Sequence, residues 1–205
     1  NGDAFACLTL APGNLKKHFK LTGLAHLQQA TKLQRPIIFL TGHIGSFYTI
    51  TLALAQLGIN VSALAREVDT SENNPIPQQL FEKCNYFLTQ QKMSGRYIYI
   101  NNSNKLDRGL VTTCKSGGNL LVLPDIPRQF MPYGRKPVQF LEEQSSLPSR
   151  TIELGIKYNA IFLTIWNTIE ILPDFSFQRH LIFEPTIADQ GDTKIVLQTY
   201  ADRLS

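Results

Sequence analysis

The sequence predicts an α/β fold: a single domain over residues 1–205, with a mostly parallel central sheet and helices on both faces. Three observations carry this expectation. Apolar runs of strand length alternate with segments of helical period along most of the chain. Several of those runs, such as "PIIFL" (36–40) and "AIFLTIW" (160–166), are continuously apolar, which marks strands buried on both faces, the habit of parallel sheets. And 205 residues suit one core, since single cores rarely grow past about 250–300 residues.

Each element has its own signal. "LTGLAHLQQATKLQ" (21–34) has apolar residues at 24, 27 and 30 and reads as an amphipathic helix. "PIIFL" is a buried strand, and "SFYTITLALAQLG" (46–58) a helix capped by Ser46 and ended by Gly58. "INVSALA" (59–65) is a second strand, and a Pro-started helix follows from "NNPIPQQLFEKCNYFL" (73–88). "RYIYI" (96–100) is a third strand, "SNKLDRGLVTTCKSGG" (103–118) a helix running into glycines, and "NLLVLP" (119–124) a fourth strand. A loop rich in Pro, Arg and Gly spans 124–137, then come a short strand "VQFL" (138–141), a helix over about 148–158 and the strand "AIFLTIW". Residues 168–184 predict further strands, and "DTKIVLQTYADRL" (192–204) a terminal helix.

Composition narrows the class. With 43% hydrophobic and 18% charged residues the chain is globular rather than disordered, and it has neither repeats nor low-complexity blocks. Its apolar runs fall far below the ~18 residues of a membrane span. Because the chain starts at Asn1, an anchor upstream is nevertheless expected. The net charge of +4 favours anionic partners. Basic residues stand in short groups ("NLKKHFK", "PYGRKP") and aromatic RNA motifs are absent, so nucleic acid is excluded as a partner. The apolar-basic edges "FACLTLAPGNLKKHFK" and "FMPYGRKP" have the composition of segments that touch a membrane surface. Cys7, Cys84 and Cys114 form no CxxC and read as reduced structural thiols.

The chemistry concentrates at "TGHIGS" (41–46). Ligands of open α/β sheets bind beyond the carboxyl ends of the strands, and His43 falls there, between a strand and a helix. Gly42 and Gly45 permit close backbone approach or unusual dihedrals, and the helix start behind them favours anions. An imidazole so placed can act as a general base. Its bland alternative is a capping histidine among loop glycines.

The stretch "LTGLAHLQQATKLQRPIIFLTGHIGSFYTI" (21–50) resembles the late acyltransferases of lipid A biosynthesis, in the lysophospholipid acyltransferase superfamily. The family pattern is an apolar strand followed by His-x4-Asp/Glu in a GHxGxxE-like turn. "ALAREVDTSENNP" (63–75), "NLLVLPDIPRQF" (119–130) and the block from "PVQFLEEQ" to "AIFLTIW" (137–166) resemble later blocks in order and spacing. The resemblance implies an acyltransferase-like domain on the cytoplasmic face of the inner membrane. In it a histidine deprotonates a hydroxyl of lipid A or a similar phosphorylated lipid, and the hydroxyl attacks an acyl thioester. It also implies no cofactor of the protein's own, the donor being carried on the phosphopantetheine of an acyl or aminoacyl carrier protein. A divergent branch of the family passes glycine to lipid A and confers polymyxin resistance, which brings a glycyl donor into consideration.

One position departs from the pattern. Five residues after His43 stands Tyr48, a phenol that is neutral near pH 7 and brings no charge to an imidazolium. Three readings follow. Another carboxylate replaces the missing one, Glu67 or Asp69 at the end of the next strand in sequence, Glu67 first; or the transfer chemistry needs less help; or the site is inactive. Asp125 ends the "NLLVLP" strand with Arg128 three residues on, and by resemblance this block shapes the phosphate or catalytic pocket. Arg66 follows the same logic. His18, His26 and His180 read as surface or capping residues, and no zinc spacing, GxGxxG or GxSxG occurs.

Overall fold

The computed structural model describes residues 15–66, 76–100, 108–174, 177–188 and 191–205. In chain order these residues form α1 (Leu15–His18), β1 (Phe19–Thr22), α2 (Leu24–Lys32), β2 (Ile37–Leu40), α3 (Phe47–Gln56) and β3 (Val61–Arg66). Next come α4 (Ile76–Lys92), β4 (Tyr97–Ile100), α5 (Arg108–Lys115), β5 (Asn119–Val122), β6 (Arg135–Phe140) and β7 (Glu143–Pro148). The chain closes with α6 (Arg150–Lys157), β8 (Ile161–Ile171), β9 (Phe177–Thr186) and α7 (Thr193–Leu204).

The expected α/β architecture is what the chain adopts. Seven strands form one sheet in the order β1-β9-β8-β2-β5-β3-β4, and β6 and β7 form a separate antiparallel hairpin. From β8 to β4 neighbours are parallel, whereas β9 runs antiparallel to β8 and carries β1 parallel to itself.

Because a strand's side chains alternate between faces, each continuously apolar run feeds two cores. Ile37 and Phe39 of β2, with Ile161, Leu163 and Ile165 of β8, pack with Leu27 and Ala30 of α2 and Ile50, Leu52 and Leu54 of α3. Ile38 and Leu40 of β2, with Phe162 and Trp166, pack on the other face with Leu110 of α5, Ile152 of α6 and Val196, Leu197 and Tyr200 of α7. Gly155 brings α6 tightly onto this face: a Cβ there would lie 2.3 Å from Ile38 Cδ1 and 2.8 Å from Phe162 Cζ.

Several details differ from expectation. The strand expected at 138–141 begins at Arg135, and its partner β7 is not marked in the sequence, because "EQSSLP" is half exposed and carries no apolar pattern. β1 was missed for the same reason, being only four residues with two exposed positions. Ser46 occupies the N-cap of α3, but its hydroxyl makes no capping bond. The expected placement at the inner membrane is corrected here: among the described residues no helix is long and apolar enough to cross a membrane.

Gly155→Ala is expected to cost about 1–3 kcal/mol by overpacking. In an Ile38→Val background, which withdraws Cδ1, the loss should be smaller, so urea unfolding of the double variant will give less than the sum of the single losses.

Candidate functional site

The site grows from the register of two neighbouring strands. Leu40 of β2 pairs with Val122 of β5, and His43 and Asp125 each stand three residues beyond that pair. Equal advance past adjacent parallel strands brings the two residues side by side, although they lie 82 positions apart in the chain. Asp125 grips His43 twice: Oδ2 accepts the backbone N–H of His43 at 2.6 Å, and Oδ1 meets ring Nδ1 at 2.8 Å.

The glycines on either side of His43 have separate reasons. A Cβ on Gly42 would stand 3.2 Å from Asp125 Oδ2 and 3.0 Å from Leu204 Cδ1, so a larger residue would crowd the carboxylate. Gly45 has φ +65°, and a Cβ there would lie 2.1 Å from the carbonyl oxygen of Asn167. Both a left-handed backbone and close passage of β8 therefore require glycine.

The pairing fixes the chemistry of the ring. An ionised carboxylate only accepts hydrogen bonds, so Nδ1 carries the proton and Nε2 keeps the lone pair. The hydrogen bond that the ring donates to Asp125 raises the His43 pKa above its ordinary value; burial opposes this, and the carboxylate charge adds to it. The His43 side chain is 54% exposed and that of Asp125 19%, so the imidazole is reachable while the carboxylate is sheltered. Phe47, on the first turn of α3, meets the imidazole edge-on at 5.8 Å.

His43 and Asp125 open onto a cavity of about 480 Å³. Its walls are predominantly apolar: Phe47 of α3, Leu64 and Ala65 of β3, Ile100 of β4, Val122 of β5 and Ile152 of α6. Phe130 and Met131 come from the loop after β5. A second, more open and more polar groove of about 580 Å³ lies beyond that loop, sharing Asp125, Ile126 and Pro127 with the first and adding Arg128, Arg135 and Ser145. Arg135 ties the loop to the β6–β7 hairpin, its Nη1 donating to the carbonyls of Ile126 (2.9 Å) and Met131 (3.1 Å) and its Nε to Ser146 Oγ at 3.0 Å. Burial, and then the charge of Arg128, hold the Arg135 pKa below its ordinary value.

The sequence-selected residues divide as follows. His43 and Asp125 come together, and Arg128 lines the polar groove beside them. Arg66 ends β3, in register with Ile100 of β4. Glu67 and Asp69 lie outside the described residues, and the strand they follow is not a neighbour of β2, since β5 stands between β2 and β3. Tyr48 is 8% exposed, and its ring packs on Phe47 at 4.1 Å and edge-on to Tyr86 at 5.7 Å. The Nδ1 side of the imidazole is held by Asp125. Sequence reasoning missed Phe47, Arg135 and Asn167; only Asn167, a polar residue closing a buried apolar strand, left a usable signal.

No protein-family model and no curated protein matches the chain. The family resemblance therefore rests on the residues themselves. Among the described residues there is no group of three or more His, Cys, Asp or Glu side chains that could hold a metal ion. His180 is engaged with Thr22 Oγ1 at 2.7 Å, and of the cysteines within the described residues Cys84 is free and exposed and Cys114 free and buried; Cys7 lies outside them.

Gly45→Ala combines a left-handed backbone with a clash against Asn167, and is expected to destabilise the protein by about 1–3 kcal/mol. Urea unfolding will measure the loss, and NMR titration of His43 should find its pKa moved back toward that of a free imidazole as the turn is pushed off Asp125.

Proposed function

We propose that this protein is a transferase that moves an acyl group from a carrier-protein thioester to a hydroxyl of lipid A or a related phosphorylated lipid. The observation that carries this reading is the His43–Asp125 pair at the mouth of an apolar cavity. His43 Nε2 takes the proton from the acceptor hydroxyl, and its oxygen attacks the thioester carbonyl. As the carbon–sulfur bond breaks, the imidazolium returns the proton to the departing thiolate. Asp125 holds the ring in the required tautomer and offsets the positive charge that develops on it. Base catalysis of this kind contributes about 10²–10⁴-fold.

The cavity lining favours one donor over the other. At about 480 Å³ it falls in the range of ligand pockets, and its apolar walls would gain about 0.8 kcal/mol for each buried methylene. A glycyl group would leave that lining unused, so a fatty chain is the better fit. The polar groove, with Arg128 at its edge, suits the phosphorylated acceptor, because a guanidinium donates two parallel hydrogen bonds to phosphate. Arg66 is the next candidate for the acceptor, by the family resemblance alone. A protein of the competing class, one that binds lipid without catalysis, would use the same cavity and have no need of the base.

His43→Ala is expected to abolish transfer from an acyl-carrier thioester while leaving the fold intact. If lipid modification in cells persists unchanged with this variant, the non-catalytic reading replaces the enzymatic one. Mass spectrometry of the acceptor separates the donors, since a glycyl transfer adds only the mass of glycine less water.

The pH profile gives an independent check. A base works when neutral, so the rate should rise with pH through the His43 pKa, which lies above the ordinary value of the free side chain. Asp125→Asn removes the cause of the elevation. Its acid limb should move to lower pH while the plateau falls by about 10²–10⁴-fold.

A further inference from the structure

The turn that carries His43 is held from both neighbours of β2. On one side β5 contributes Asp125. On the other, β8 contributes Asn167: Leu40 pairs with Thr164, and Asn167 stands three residues beyond Thr164 as His43 stands three beyond Leu40. β8 runs on past its pairing with β2, and Asn167 lies within it, beside the turn that follows His43.

Asn167 is 1% exposed and its amide is spent on the turn. Nδ2 donates to the carbonyl of Ser46 at 2.8 Å and to Thr49 Oγ1 at 2.6 Å, and Thr49 Oγ1 in turn donates to the same Ser46 carbonyl at 2.8 Å. These contacts lock the start of α3, three residues past the base. The backbone carbonyl of Asn167 lies against Gly45, so β8 also sets the path of the chain between His43 and the helix. Tyr200 of α7 secures the other flank, its hydroxyl donating to the Thr41 carbonyl at 2.9 Å.

The cost of this arrangement points the same way. Asn167 Oδ1, Ser46 Oγ and Thr41 Oγ1 are buried without a hydrogen-bond partner. An unsatisfied buried polar atom is unfavourable, so the contacts of the turn are kept at some cost to stability.

We propose that Asn167 is a positioning residue for the His43 base, holding the turn against β8 so that the imidazole stays in register with Asp125. The assignment rests on the reading of His43 as a base, but its first test needs no substrate. In Asn167→Ala, NMR should find the His43 Nδ1 proton broadened and the ring pKa lowered toward that of a free imidazole. Under transfer conditions kcat should fall about tenfold to a hundredfold, the scale of an ångström-level misplacement, with KM within about twofold. A purely structural asparagine would lower the unfolding midpoint and leave the ring titration unmoved, and that result overturns the proposal. Should Asn167→Ala not fold, Thr49→Val decides: it keeps the shape, removes one of the two acceptors of the amide and should shift the His43 titration in the same direction, whereas an unshifted ring overturns the assignment. If the unaltered protein transfers nothing but the variants still move the titration, the transfer reading falls and the positioning role stands.

Discussion

One carboxylate organises this site. Asp125 accepts both the backbone N–H and the ring N–H of a single residue, His43, and so fixes where the chain runs and which way the imidazole faces. The double grip is possible only because β2 and β5 are parallel neighbours in a register that advances both residues equally past the sheet. Gly42 leaves room for the acid, and Gly45 lets the chain turn beneath β8 and into α3. The raised pKa, the tautomer and the opening onto the cavity follow from that contact.

The reach of the sequence, and its limit, are seen in these same residues. His43 was legible because an apolar strand, two glycines and a helix start leave little else for it to be. Asp125 was legible as a strand-end acid with an arginine nearby. That the two are partners was not legible, because pairing depends on strand order, and strands consecutive in sequence need not be neighbours in a sheet. The expectation that Glu67 stands beside His43 took β3 for the neighbour of β2; β5 lies there instead. The alternation of buried strands and amphipathic helices carried the fold class, since Ile37 to Leu40 must be covered on both sides. The polar β7 and the short β1 have no such pattern, being defined by their partners rather than by their own composition.

Tyr48 contributes packing at the start of α3. Asp125 serves the His43 ring from the neighbouring strand. Tyr48 lies in an aromatic cluster with Phe47 and Tyr86, and Phe47 in turn meets the His43 ring. An aromatic there contributes burial and stiffness at the base of the turn where an acid would have to be solvated or paired.

A histidine and acid within one helical turn could meet in a peptide a few residues long. Here the partners arrive from segments 82 positions apart, joined only when β5 seats against β2. The nascent chain can therefore carry the complete "TGHIGS" segment with nothing more than a free imidazole's reactivity. The His43–Asp125 pair forms only in step with closure of the sheet centre, so the pair is a built-in gauge of whether that closure has happened.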